Sequence, residues 1–203
     1  MSKVNLSPCC FLDRDGCVNI AEKGKYVNDH SQFELLPDVG RAVYLLNELG
    51  FKVIVVTNQA GIGKGYFNEQ DLLKIHNKMR KQVGWYSGKI TDVFHCPHSV
   101  GCGNHLYDFE CNCRKPKPGL IREAARRHDI DVSKSYMIGD SITDIEAGKA
   151  AGCKKNILVL TGFGKESYEE YKNRVIENPN YSIIVCDDLL DAAHWIQEDL
   201  KNE

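Results

Sequence analysis

Four stretches of this chain place charged or hydroxyl side chains after short apolar runs, three of them directly and one beyond an irregular loop. The first is Phe11-Leu12-Asp13-Arg14-Asp15-Gly16. In extended backbone Asp13 and Asp15 project to the same side, with Cα atoms roughly 7 Å apart. One carboxylate at that separation can attack a phosphorus atom while the other reaches the leaving oxygen. An attacking carboxylate splits one hard displacement into two easier ones. The second stretch is Thr57-Asn58-Gln59-Ala60-Gly61-Ile62-Gly63-Lys64-Gly65. A hydroxyl followed by small residues with free backbone N–H groups suits a phosphate. It is not a Walker A loop, which needs Gly at position 58 and Ser or Thr at 65, and its glycines lack dinucleotide-fingerprint spacing.

The third stretch is Cys113-Arg114-Lys115-Pro116-Lys117-Pro118-Gly119. Two prolines stiffen a basic segment, and a rigid lysine is the counter-charge a reacting phosphoryl group needs. In the fourth, Ile138-Gly139-Asp140-Ser141-Ile142-Thr143-Asp144, Asp140 is a ligand for a hard cation such as Mg2+. Asp144 is either the capping-box partner of Ser141 or a support for the metal. Taken singly, each stretch also reads as an ordinary turn, basic loop or helix start. Together they supply an attacking group, an acid, phosphate donors, a counter-charge and a metal ligand.

A fifth constellation lies between the second and third. Cys96-x-His98 and Cys111-x-Cys113 offer three thiolates and an imidazole, the donor set of a closed tetrahedral zinc site. Cys102, His95 and His105 stand near enough in sequence to replace one of them. Residues 96–114 have no apolar period, so zinc would supply the order that burial does not. Cys9, Cys10, Cys17, Cys153 and Cys186 fall in or beside apolar elements or the first motif, where packing is the expected role.

The positioning elements follow from periodicity. Apolar runs predict strands at Cys9–Leu12, Lys52–Thr57, Asp92–His95, Tyr136–Ile138, Asn156–Leu160 and Ser182–Cys186. Val39, Val43, Leu46 and Leu49 recur at helical spacing between Asp38 and Gly50. Asn68 opens a second helix, Pro118 sits in the first turn of a third, and Gly152 ends a fourth. Strands alternating with helices predict an α/β fold, a Rossmann-like doubly wound, mostly parallel sheet whose ligands bind beyond the strands' carboxyl ends. At 203 residues, 42% hydrophobic and 27% charged, a single domain over residues 1–203 is expected. A net charge of −2 recruits neither nucleic acid nor an anionic membrane. With no signal peptide or membrane-length apolar run recognised, a cytoplasmic monomer is expected, its nine cysteines reduced.

The ordered set of motifs, from Phe11 to about Gly152, resembles the haloacid dehalogenase (HAD) superfamily of phosphohydrolases. Within it, FLDRDGCVN, VVTNQAGIGKGYF, HCPH followed by CNCRKPKPG, and YMIGDSITD look like the zinc-containing heptose-bisphosphate and histidinol-phosphate phosphatases. The resemblance implies no large cap domain, Mg2+ and structural Zn2+ as cofactors, and a small phosphorylated substrate. By motif, Asp13 would be the nucleophile and Asp15 the general acid, then base. Thr57 and Lys115 would hold the phosphoryl oxygens. Asp13, the main-chain carbonyl of Asp15, and Asp140 would bind Mg2+; Cys96, His98, Cys111 and Cys113 would bind Zn2+. Lys25, Tyr26, Asn58, Gln59 and Arg114 would meet the rest of the substrate.

This chain has Ser141 where the heptose enzymes often carry a basic residue, and its loop Ala21–Tyr26 is about two residues longer. A distal phosphate would then fall to Arg114, Lys23, Lys25 or Lys64. Histidinol phosphate would instead want an acid for its amine, for which Glu22 is available. A non-catalytic zinc-stapled module would show damaged acidic positions, and Asp13, Asp15 and Asp140 are intact. Transfer of the phosphoryl group to an acceptor other than water stays open. Deaminase-type zinc chemistry lacks its H-x-E and P-C-x-x-C signature.

Overall fold

The computed structural model describes residues 6–177 and 183–202. Six strands form one parallel sheet: β1 (Cys9–Leu12), β2 (Lys52–Asn58), β3 (Asp92–Cys96), β4 (Tyr136–Gly139), β5 (Lys155–Val159) and β6 (Ile184–Cys186). They lie in the order β3-β2-β1-β4-β5-β6, with Phe11 of β1 opposite Ile54 on one side and Met137 on the other. The doubly wound sheet is as expected. β5 starts and ends one residue earlier than its apolar run suggests, and Ser182, where the last strand was expected to begin, lies outside the described residues.

Side chains alternate across the sheet. Cys9 and Phe11 join Ile54, Val56 and Met137 in one core; Cys10 and Leu12 join Val53, Val55, Ile138 and Ile157 in another. Burial on both faces is why these strands are continuous apolar runs rather than alternating ones.

Among the described residues seven α-helices follow the rhythm: α1 (Val39–Glu48), α2 (Ala60–Gly63), α3 (Glu69–Gly84), α4 (Gly119–His128), α5 (Ile142–Ala151), α6 (Gly164–Glu177) and α7 (Leu189–Lys201). Asn68 caps α3 by accepting from the N–H groups of Gln70 and Asp71. Gly152 ends α5 at φ +93°, a left-handed conformation that glycine adopts without strain. Pro118 stands one position before α4 rather than inside its first turn. Periodicity did not reveal α2, α6 or α7. A four-residue helix has no period, α6 is mostly charged and polar, and two of the four buried positions of α7 are alanines.

The chain runs outward from β1 through β2 to β3, then returns to β4 on the other side of β1. The winding direction reverses between β1 and β4, and the crevice opens at their carboxyl ends. No helix among the described residues is long and apolar enough to cross a membrane.

Candidate functional site

Asp13 follows β1, Asp140 follows β4, and Asp144 lies in the first turn of α5; all three are buried. Each offers an oxygen within 4.8 Å of the others. The Lys115 ammonium reaches into this group, with Nζ 2.6 Å from Asp13 Oδ1, 2.6 Å from Asp144 Oδ1 and donating to the Val56 carbonyl at 2.8 Å. Burial alone would discharge this lysine, but the two carboxylates outweigh it and hold its pKa above the usual range. Burial pushes Asp13 up to about 7 despite Lys115 beside it. Asp140 rises to about 8 through burial and the charges of Asp13 and Asp144. Three buried carboxyls share one ammonium, a shortage of positive charge that shows in the raised pKa of Asp13 and Asp140. Oxygen donors with that deficit fit Mg2+, which takes one or two carboxylates plus phosphate and water.

Asp15 has a different environment. Both its oxygens accept from Arg14, Oδ2 from Gln59 Nε2 at 2.8 Å, and Oδ1 from Asn19 Nδ2 at 3.1 Å. Burial works to raise its pKa, and the Arg14 charge with these hydrogen bonds outweighs burial and lowers it. The same Gln59 Nε2 donates to Thr57 Oγ1 at 2.9 Å, placing the Thr57 hydroxyl beside the acids at the end of β2. Asn58 exchanges two hydrogen bonds with the Lys115 backbone, both 3.1 Å. Asn58 and Gln59, expected to face substrate, thus also brace their neighbours.

A further element, absent from the sequence reading, supports Asp140. In the loop after β5, the Phe163 N–H donates to Asp140 Oδ2 at 2.8 Å, and the Thr161 hydroxyl donates to the Gly16 carbonyl at 2.7 Å. The backbones of Gly16 and Gly162 approach so closely that a Cβ on either would fall 1.9 Å or 2.2 Å from Asp140 Oδ2. The only sequence signal was Thr161-Gly162-Phe163-Gly164 at a strand end. Asp13, Asp15, Thr57, Lys115 and Asp140 line a pocket of about 190 Å3. It shares Asp15, Asn58 and Phe163 with a neighbouring cleft of about 560 Å3, whose outer wall includes Glu22, Lys25 and Tyr26.

Cys96, His98, Cys111 and Cys113 converge, each with a ligand atom within 4.8 Å of the others. The Cys113 sulfur is 3.2 Å from those of Cys96 and Cys111 and from His98 Nδ1, and Cys96 Sγ is 3.5 Å from His98 Nδ1. Tetrahedral zinc with Zn–S of 2.3 Å implies donor separations of about 3.7 Å, so this set fits the ion. Cys102, His95 and His105 are not among the convergent residues. His95 pairs with Glu69 at 2.9 Å, and the Cys102 thiol faces the Asn104 carbonyl. The Arg114 N–H donates to Cys111 Sγ at 3.3 Å, coupling this loop directly to the segment that carries Lys115.

The remaining cations are spread around the mouth. Lys23 pairs with Glu166 at 2.8 Å, Lys25 with Glu22, and Lys64 donates to the Tyr26 hydroxyl at 3.2 Å. These contacts are exposed and exchangeable. Arg114 NH1 donates to the His98 carbonyl at 3.3 Å, and its side chain lines a separate depression with Lys115 and Lys117.

Three comparisons bear on this arrangement. The family described as HAD-hydrolase-like matches residues 112–192. The D-glycero-beta-D-manno-heptose-1,7-bisphosphate 7-phosphatase of Neisseria meningitidis serogroup A is 35% identical over 189 residues, which are 93% of this chain and 94% of that protein. The D-glycero-alpha-D-manno-heptose-1,7-bisphosphate 7-phosphatase of Photorhabdus laumondii is 34% identical over 85% of this chain and 92% of its own. The crystal structure of D,D-heptose 1,7-bisphosphate phosphatase from B. bronchiseptica, complexed with magnesium and phosphate, superposes with a TM-score of 0.82 at 32% identity. It covers 95% of this chain and 99% of that one.

Proposed function

Since this chain belongs to the heptose-1,7-bisphosphate 7-phosphatase family of HAD-like hydrolases, we propose that it removes the C7 phosphate of D-glycero-D-manno-heptose 1,7-bisphosphate. The observation that carries this reading is the Lys115 ammonium held 2.6 Å from both Asp13 and Asp144 at the sheet's reversal point, with Asp15 lining the same pocket.

Asp13 attacks the phosphorus and becomes an aspartyl phosphate, while Asp15, ionised in the free protein, relays the proton of a monoanionic substrate phosphate to the departing sugar oxygen. Asp15 then takes a proton from the water that attacks the aspartyl phosphate, and Asp13 is regenerated. Lys115 Nζ and the Thr57 hydroxyl bind the equatorial oxygens, where negative charge redistributes. Asp13, the Asp15 main-chain carbonyl and Asp140 would hold Mg2+, which when bound neutralises phosphoryl charge so that one anion can approach another. Cys96, His98, Cys111 and Cys113 would hold Zn2+, ordering the loop that aims Arg114 and Lys115. Arg114 donates to the His98 carbonyl in this structure and would turn from the cysteine loop to grip the distal phosphate through two parallel hydrogen bonds; Lys25 and Tyr26 flank the sugar, with Asn58 and Gln59 at its inner edge. In this reading residues 1–203 are one catalytic domain, acting as a cytoplasmic monomer on a small molecule, without nucleic acid or membrane.

The test is phosphate release from both anomers of the heptose 1,7-bisphosphate, the corresponding monophosphates and histidinol phosphate, with wild type, Asp13→Asn and Arg114→Ala. One bisphosphate anomer should be the best substrate and yield the 1-phosphate, and Asp13→Asn should be inactive though folded. Arg114→Ala should cost about 2–3 kcal/mol in kcat/KM on the bisphosphate and much less on the monophosphate. Preference for histidinol phosphate would sink the substrate, and active Asp13→Asn would sink the covalent route.

A further inference from the structure

Between the two acids of the first motif stands a side chain to which the steps above give no role. Arg14 is 1% exposed. Its Nε and NH2 donate to Asp15 Oδ1 at 3.1 and 2.8 Å, and NH2 also donates to Oδ2 at 2.7 Å. On its far side NH1 lies 3.4 Å from His76 Nε2. A guanidinium has no acceptor, so in this contact the imidazole accepts and carries its own proton on Nδ1. His76 comes from α3, is itself buried, and has the ring of His95 6.2 Å away, which in turn meets Glu69.

Arg14 and Asp15 are sequence neighbours, so the ion pair between them ties no two elements together. For fold stability alone, apolar residues of similar volume would serve as well as a buried ion pair. What the fork does accomplish is geometric. An aspartate has two rotatable side-chain bonds, and a planar two-point grip fixes both, as a lysine could not. Gln59 and Asn19 complete the restraint.

We propose that Arg14 is a positioning residue which, backed by His76, aims the Asp15 carboxylate at the reacting phosphoryl group. This rests on the reading of Asp15 as the acid–base group. The step most exposed to misaiming is the second, in which water attacks phosphorus, the bond to Asp13 breaks, and the water proton passes to Asp15. An aryl phosphate leaves without needing a proton, so with it the first step tests Asp13 alone.

The experiment is rapid-mixing hydrolysis of 4-nitrophenyl phosphate by the Mg2+-loaded protein, with acid quench to trap phosphoenzyme. Arg14→Gln should release about one 4-nitrophenolate per chain in a burst, then turn over on the order of 10- to 100-fold more slowly than wild type. Phosphoenzyme should accumulate. Arg14→Lys keeps the buried charge, is the variant to use if Arg14→Gln does not fold, and should show the same burst with a smaller loss. His76→Gln keeps an acceptor and should stay near wild type, whereas His76→Phe should fall between. Wild-type turnover in the Arg14 variants, or slow turnover with neither burst nor phosphoenzyme, would overturn the proposal. Retained turnover of 4-nitrophenyl phosphate by folded Asp13→Asn would instead strike the covalent mechanism itself.

Discussion

Asp144 performs two tasks with its two oxygens. Oδ2 accepts from the Ser141 N–H at 3.1 Å and the Ser141 hydroxyl at 2.9 Å, holding the start of α5, while Oδ1 lies 2.6 Å from Lys115. The helix cap and the aim of the lysine are therefore one side chain's geometry, and the residue is buried enough that neither oxygen has water as a substitute. An asparagine can reproduce one of these contacts but not both, because its amide nitrogen must face either a donor N–H or an ammonium. Asp144→Asn should therefore destabilise the fold by about 1–3 kcal/mol, a loss of several degrees in Tm for a chain of this size. It should also lower kcat, since Lys115 is left with only Asp13 and the Val56 carbonyl to position it. Thermal melts and phosphate release on the same preparation check both halves. Unchanged melting with normal kcat would show that the cap and the lysine need no charge at position 144.

Two loops carry the site, and each gets its order from something other than a hydrophobic core. The loop after β5 is held by hydrogen bonds to the first motif and to Asp140, over backbones too close for any side chain at Gly16 or Gly162. The loop after β3 is held by convergence of Cys96, His98, Cys111 and Cys113. Val100, Leu106 and Phe109 within it remain exposed, so apolar burial supplies little there. Protein purified without chelator should contain about one zinc per chain. Cys111→Ser should lose that zinc, melt earlier and lose most of its kcat/KM, because Arg114 donates its N–H to the Cys111 sulfur and Lys115 follows directly. Elemental analysis, melting and kinetics decide it; zinc-free protein with full activity would remove the loop's proposed dependence on metal.

At the scale of the whole molecule, His76 joins the helical layer to the sheet's catalytic edge, reaching from α3 to Arg14. Burial, and then the Arg14 charge, push its pKa down to about 2. The unfolded chain takes up a proton there near pH 6.5, whereas the folded chain resists it. The stability this neutral ring contributes is complete above pH 6.5 and is lost progressively as pH falls from 6.5 toward 2. The slope from this one group is at most about 1.4 kcal/mol per pH unit. His76→Gln should consequently flatten the fall in urea midpoint between pH 6.5 and 4.5, whatever it costs at neutral pH. Parallel curves for the two proteins over that range would mean the ring does not stay neutral in the folded chain.

The local facts of this protein were written in its sequence. Continuous apolar runs of three to six residues between helical periods specified a parallel sheet buried on both faces, because only that arrangement removes both sides of such strands from water. Asp13, Thr57 and Asp140 were legible because each sits where one of those runs ends, Lys115 because two prolines stiffen its segment before a helix start, and the paired Cys-x-His and Cys-x-Cys spacings told of their own convergence. What no local pattern contained was contact between residues distant in the chain. The bracing of Asp140 by Phe163, the closeness of Gly16 to Gly162 and the grip of His76 on Arg14 span 23, 146 and 62 positions. The same holds for the mouth, where Lys23 meets Glu166 while Arg114 turns toward the cysteine loop. Strand order decides these contacts, by bringing the ends of β1, β4 and β5 to one crevice, and order in a sheet is settled by packing of the whole chain rather than by any segment's preference.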